Sequence, residues 1–534
     1  MGIGASTPGG DHPGPRRLGQ QATKAAGATP AAARPQARES PCASARGRCK
    51  SHRQDARWDP AARFAGPIAM KTPNNLLSLL AVVGVSAVTP SVAVSELIAL
   101  DGGMLVDGYE AAPVHRARII VKGDRILAAG SREDIDIPEG ARLIDVSGRT
   151  VLPGLIDAHV HVDLIGHGDY DRYYKFIKGT ERLDEVMPIA AKQMLRAGVT
   201  SAIDLGTPLA ILPFRERIRS GEIPGPRLTV SGPWITRVYL RGVPDEYQII
   251  INSPREGAQA AKRLIDRGVD VIKTWVGLTE TDYRAIVQEA HRHGVKVHAH
   301  LYKPGAIQAA LNAGVDVFQH VGSGRNPRYD DDLVSAIAHR NIPVVQTLSH
   351  RIWVYPATVA FPERLDDPVH RQDMPRDIWT EVMDSFKYFH RLPYFEEIGR
   401  ETRNAKANAA HFVEAGAVIG VGTDAASPLN FHSDAIWFEM RALVDIGMSP
   451  LQVISAATLT NAQILSQSDE LGTVEPGKLA DLIVVDGNPL QGLDVLRNIE
   501  FVMKGGEIWY EGPTDDPVLR DLGRRFSTGT SPGQ

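Results

Sequence analysis

The chain has 534 residues, 43 % hydrophobic and 23 % charged, the balance of an ordinary globular protein with ample core. Its first 69 residues hold 11 Lys+Arg against 4 Asp+Glu, and taking that +7 from the overall −4 leaves −11 for residues 70–534, which argues against nucleic acid as a partner. No stretch approaches the ~20 apolar residues of a transmembrane helix, so no stable membrane span is expected.

Residues 1–69 are rich in Ala, Gly and Pro without apolar periodicity. They read as a basic disordered leader or the product of an upstream start; a nucleic-acid-binding tail is the other meaning of such a charge run. Met70-Lys71 then opens a second N-terminus. A short apolar run, Leu76 to Val88, and the small-residue site Ser91-Val92-Ala93 follow it, so 70–93 reads as a secretory signal peptide. Both cysteines, Cys42 and Cys49, precede that site. A mature chain starting near Val94 would have no disulfide and no thiolate nucleophile, as suits a periplasmic or secreted enzyme.

Residues 94–150 predict short strands at Leu97–Leu100, Ala117–Val121 and Arg125–Ala129. The same texture returns over 466–515, at Ala480–Val485 and Phe501–Ile508, before a C-terminal tail, 516–534. Two β-rich ends around a different middle predict one small β-sandwich domain built from both ends of the mature chain.

The middle, 151–465, alternates strands and helices. The apolar run Val151-Leu152-Pro153-Gly154-Leu155-Ile156-Asp157-Ala158-His159-Val160-His161 ends in two imidazoles two residues apart, which a strand points the same way. Ser253-Pro254-Arg255-Glu256 starts a helix that runs to about Arg267. The strand Val269–Lys273, a helix over Thr279–His293, the strand Val295–His298, a helix over Pro304–Ala313 and the strand Val315–His320 follow. An α/β fold is expected, a (β/α)8 TIM-like barrel with its active site at the C-terminal strand ends. A doubly wound open sheet is the alternative, though no glycine-rich dinucleotide loop opens the first unit.

Polar groups sit where these strands end: Lys273, then His298 and His300, then His320, and finally Asp424 after the apolar run Ala417–Thr423. Singly each has an ordinary explanation, such as a satisfied core histidine or a helix N-cap. Together they collect on one face of the barrel, and imidazoles with a carboxylate suit a transition metal.

Through Leu152–His161, Val271-Ile272-Lys273, Val297-His298-Ala299-His300, Ala313–His320, Gly422-Thr423-Asp424 and the tail Leu471–Leu482, the chain resembles the amidohydrolase superfamily. Within it the likeness is to the imidazolonepropionase-like and prolidase-like carboxypeptidases of Xaa-Pro or Xaa-Arg type. The resemblance covers about residues 96–512 and implies two divalent metal ions, zinc first among them. His159, His161 and Asp424 would hold one ion, and His298 and His320 the other. Carboxylated Lys273 would bridge ions ~3.5–4 Å apart. A metal-bridging hydroxide would attack the scissile carbonyl while Asp424 takes its proton and passes it to the leaving nitrogen. Mononuclear relatives, including true imidazolonepropionases and cytosine-type deaminases, usually lack the bridging lysine, so amide or peptide hydrolysis is expected over ring deamination. His300 is read as a substrate contact or an outer partner of the ligands, with a ligand role as its alternative; Lys303 is a candidate partner for a substrate carboxylate, and His167 a candidate to line the pocket.

Between His320 and Asp424 the chain departs from the simpler pattern. After Pro343–Thr347 comes a segment, 351–403, that includes Trp353, Tyr355, Trp379, Phe386, Tyr388, Phe389, Tyr394 and Phe395. It reads as a lid, a packed helical pair or a homo-oligomer contact. The expected activity is hydrolysis of a small-molecule amide, a dipeptide or N-acyl amino acid. The alternatives are the same centre acting on a carbamate, lactone, organophosphate or toxin amide, and a catalytically silent barrel that only binds.

Overall fold

The structure, a computed structural model, describes residues 96–512 apart from 325–327 and 392. The expected leader, both cysteines, the signal segment and the tail 516–534 lie outside the described residues, as do the side chains of Phe389, Tyr394 and Phe395.

Both ends of this region make two small sheets. One orders Arg125–Ser131, Ala117–Lys122, Leu97–Asp101 and Arg142–Asp145; the other orders Glu507–Glu511, Ile499–Lys504, Leu482–Asp486, Arg149–Pro153 and Met104–Leu105. Alternating apolar residues from both sheets, among them Leu100, Ile119, Val151, Leu482, Val484 and Met503, share one buried cluster, as half-buried strands require. The single strand expected over Phe501–Ile508 is a hairpin instead. Gly505 and Gly506 take φ of +59° and +76°, and positive φ at both central positions is what a tight hairpin turn needs.

The middle is α/β with parallel sheets. One holds Leu155–Val160, Val199–Asp204 and Arg227–Val230; the other runs Gln248–Ile250, Trp234–Thr236, Val271–Thr274, Lys296–His300, Val317–Gln319, Val344–Val345 and Ile419–Gly420. Main-chain hydrogen bonds pass between the sheets at both sides, from Asp270 N to Val230 O at 2.8 Å and from Ala158 N to Val421 O at 2.9 Å. Two of the helices between strands carry side-chain caps at their starts. Ser253 Oγ accepts from Glu256 N ahead of Pro254–Asp266, and Thr279 and Asp282 cap Glu280–Arg292 reciprocally.

Two boundaries differ from expectation for one reason. The regular ladder of the Ala417–Asp424 run is only Ile419–Gly420, because Thr423 N and Asp424 N both turn to His159 O. Likewise His320 lies just past Val317–Gln319, with φ of +67°. At both places the backbone leaves the sheet where it delivers a polar side chain.

The segment after Val344–Val345 packs as helices against its own chain. Trp353, Ile378 and Val382 join the main core, and Glu381 pairs with Arg172 Nε at 2.5 Å. Among the described residues no helix is long and apolar enough to cross a membrane.

Candidate metal centre

His159 leaves the first parallel strand fully buried, and its position is tightly determined. Asp157, two residues earlier, accepts from His159 N and Thr423 N, each at 3.1 Å, and from Thr423 Oγ1 at 2.7 Å. One carboxylate thus ties the first strand to the last. A Cβ on Gly422 would stand 3.0 Å from the His159 backbone nitrogen and 2.4 Å from a Val345 methyl, so only glycine lets these strands approach.

That arrangement brings Asp424 to the two histidines. Its Oδ1 lies 3.1 Å from His161 Nε2 and 3.5 Å from His159 Nε2. Burial alone would raise the Asp424 carboxyl. The hydrogen bond with His161 and the neighbouring imidazoles of His159, His161 and His350 carry it well below the usual carboxylate range. One ligand-type atom from each of His159, His161 and Asp424 lies within 4.8 Å of the other two, the one such group of three among the described residues.

Lys273 approaches from the neighbouring sheet, its Nζ 3.4 Å from His159 Nε2. Burial pushes its ammonium down to about 7, since a charged amine is costly away from water. His298 is its direct partner on the next strand. His298 is fully buried, and its Nε2 meets no hydrogen-bond partner. His320 lies against His159 with ring centroids 4.6 Å apart, and its Nδ1 is 2.8 Å from Thr347 Oγ1. Burial first, then the Lys273 charge, lowers both His159 and His298, the latter to about 3; burial and neighbouring positive charges also lower His320. All three are neutral imidazoles at neutral pH, the form that binds a cation. An orphaned buried nitrogen, neutral imidazoles and an ionised carboxylate form a donor set that fits a transition-metal centre.

The remaining sequence candidates divide. His300 borders the centre, 4.5 Å from the His320 ring and 4.8 Å from Tyr302. His167 is buried beside Tyr173, its Nε2 3.3 Å from Glu381 Oε1, so it joins the first loop to the inserted helices. Lys303 is exposed at the N-cap of Pro304–Ala313.

Four residues at the centre escape a reading of the sequence. Tyr302 stacks on His320 at 5.2 Å; Arg351 lies over the Tyr302 ring at 5.2 Å; His350 contributes to the Asp424 field; Gln319 sits between His159 and His298. Only their nearness to His300 or His320 in sequence, or to the end of Val344–Val345, signalled them. A cavity of about 720 Å³ at the opposite ends of the strands, lined by Ser201, Arg227, Thr229 and Trp509 among others, touches none of these histidines.

Glu439 supports the loop from beneath, accepting from Leu348 N at 2.9 Å and Ser349 N at 2.7 Å. Burial raises its carboxyl to about 7, above its value of ~4.3 in the unfolded chain. The folded state therefore holds the proton more tightly, and stability falls as pH rises from ~4.3 through 7, by roughly 4 kcal/mol in all. Glu439→Gln should flatten that dependence while lowering stability at acid pH, because one backbone N–H then faces an amide NH2. Urea unfolding of both forms at pH 5 and pH 8 checks it; equal slopes with pH would contradict the assignment.

The amidohydrolase family model matches residues 150–509. Ochratoxinase from Aspergillus niger is 24 % identical over 479 residues, covering 79 % of this chain and 88 % of its own. Imidazolonepropionase from Porphyromonas gingivalis is 22 % identical over 467 residues, covering 78 % and 96 %. The crystal structure of a Xaa-Pro dipeptidase with methionine in its active site matches at a TM-score of 0.62 and 25 % identity, covering 78 % of this chain and all of the other.

Proposed function

This chain belongs to the amidohydrolase family, and we propose that it hydrolyses the C–N bond of a dipeptide or N-acyl amino acid at a centre of two divalent ions, zinc by preference. The observation that carries the reading is the convergence of His159, His161 and Asp424 beside buried Lys273. His159, His161 and Asp424 would hold one ion and His298 and His320 the other, with carboxylated Lys273 joining them. A carbamate forms only from the free amine, and a lysine brought down to about 7 supplies that form at neutral pH. Closure of the two parallel sheets into an eight-stranded barrel, with Trp234–Thr236 and Gln248–Ile250 as extra strands at one sheet's edge, and packing of the two small sheets as a sandwich, belong to the same reading. The bonds from Asp270 to Val230 and from Ala158 to Val421 support the first, and the shared apolar cluster supports the second.

When bound, such ions lower the pKa of water towards neutrality and polarise a carbonyl oxygen. The chain's own groups do the rest. Asp424, ionised throughout the neutral range, accepts the proton of the attacking water at a carboxylate oxygen and returns it to the leaving nitrogen. His300 and Tyr302 wall the space beside His320 and orient the substrate. Arg351 places a fixed positive charge against Tyr302, its Nη2 donating 2.5 Å to the phenol oxygen, and a substrate carboxylate suits that charge. Ochratoxinase among the relatives keeps a toxin amide as the second reading.

The test is a panel of N-acyl amino acids, Xaa-Pro and Xaa-Arg dipeptides, aryl amides, carbamates and lactones, assayed on the full chain stripped of metal and then reloaded with zinc. Metal-dependent turnover of the carboxylate-bearing amides is expected. In Arg351→Met their KM should rise about 10- to 100-fold, the worth of a charge-assisted hydrogen bond, with kcat nearly unchanged. No metal-dependent hydrolysis anywhere in the panel would sink the proposal. Export through segment 70–93 belongs to the same reading, and N-terminal sequencing of exported protein checks it.

A further inference from the structure

One amide lies between the two candidate metal sets. Gln319, fully buried at the end of Val317–Gln319, has Oε1 2.7 Å from His159 Nδ1 and Nε2 3.0 Å from His298 Nδ1. Its Nε2 also lies 3.5 Å from the Ala158 carbonyl oxygen. A carbonyl can only accept, so the NH2 of Gln319 is on that side and its oxygen faces His159. The consequences for the two imidazoles are opposite. His159 must carry its proton on Nδ1 to donate to Oε1, which leaves the Nε2 lone pair pointing at Lys273 and Asp424. His298 must accept at Nδ1, which puts its proton on Nε2, the buried atom that meets no partner. One imidazole is set to receive a cation; the other has its only lone pair occupied.

We propose that Gln319 is a positioning residue that makes the two metal sites unequal, so that the set containing His159 fills first and tightly. The set containing His298 fills only after the Gln319–His298 hydrogen bond is given up. The inference rests on the two-ion reading above and adds an order of loading to it. Outer partners of ligating histidines fix the tautomer and typically change metal affinity 10- to 100-fold. Here the same side chain helps one ligand and hinders the other.

The experiment is a titration of the metal-free full chain with cobalt(II), read by calorimetry for stepwise affinity and by the visible absorption of bound cobalt for coordination. The wild type should take up one equivalent at least about tenfold more tightly than the second, each with its own spectrum. Gln319→Met keeps the length but removes both hydrogen bonds, so the first step should weaken about tenfold or more while the second does not. Gln319→Glu, which accepts from both rings and moves the His298 proton to Nδ1, should also shrink the ratio between steps, by tightening the second. Circular dichroism establishes that each variant is folded, and the glutamate variant carries the test if the methionine variant is not. Two equal steps in the wild type, or a ratio unchanged in the folded variants, overturns the role of Gln319 alone. A wild type that binds no cobalt overturns the two-ion reading itself.

Discussion

Asp424→Asn should lower kcat/KM for the substrate found in the panel by about 10³-fold or more, the upper part of the range for loss of a general acid–base group. The expectation follows from where the carboxylate sits. One of its oxygens lies within 3.5 Å of both His159 Nε2 and His161 Nε2, so one substitution removes an anionic ligand and the proton acceptor together. Asparagine keeps the shape and the backbone, whose φ of +57° it tolerates better than most residues, so folding should survive. Two readouts separate the roles. Elemental analysis should find about one ion fewer per chain than in the wild type. Excess zinc should restore occupancy without restoring rate, because an amide cannot take a proton from water. A variant that kept a tenth of wild-type activity would exclude Asp424 as the proton carrier. Recovery of full rate with excess zinc would reduce it to a ligand.

Most of the residues that gather here were legible in the sequence, and the reason is geometric. Strand side chains alternate, so His159 with His161 and His298 with His300 announce themselves by spacing, and Lys273, His320 and Asp424 by standing at the ends of apolar runs. The helix start at Ser253 was equally plain, because a cap is decided within four residues. What sequence hid depends on separations that no local pattern encodes. Gln319 meets His159 across 160 positions, and an amide side chain has too many ordinary uses to mark itself as a link between histidines. Arg351 opens, and His350 immediately precedes, a segment whose composition suited a lid, an oligomer contact or packed helices equally well. In the structure Trp353, Ile378 and Val382 join the main core, and Glu381 pairs with Arg172. The ends of the last strand were missed because Thr423 and Asp424 leave the ladder to bond His159 O, a choice made by the partner strand.

Lys273→Ala should cost about 10²- to 10⁴-fold in kcat/KM and leave roughly one ion per chain. The side chain is 2 % exposed, and burial away from water outweighs the pull of Asp424 and Asp204, bringing its ammonium down to about 7. A structural lysine in that position would be a net cost, since an uncharged amine offers one weak donor and a charged one repels a cation. Carboxylation reverses the sign: the amine becomes an anion with two oxygens, facing His159 across 3.4 Å and paired in register with His298. Its removal should therefore empty the set containing His298 and His320 and spare the set of His159, His161 and Asp424, the opposite pattern to Asp424→Asn. Labelled bicarbonate supplies a readout independent of rate. Wild-type protein reloaded with zinc in ¹³C-bicarbonate should show a carbamate carbonyl resonance by NMR that Lys273→Ala lacks. Lys273→Met, which fills the same volume, guards against a cavity of ~1–3 kcal/mol being mistaken for lost chemistry. If both variants keep two ions and full activity, Lys273 is no bridge, and the two ions would have to be held by His159, His161, Asp424, His298 and His320 without it.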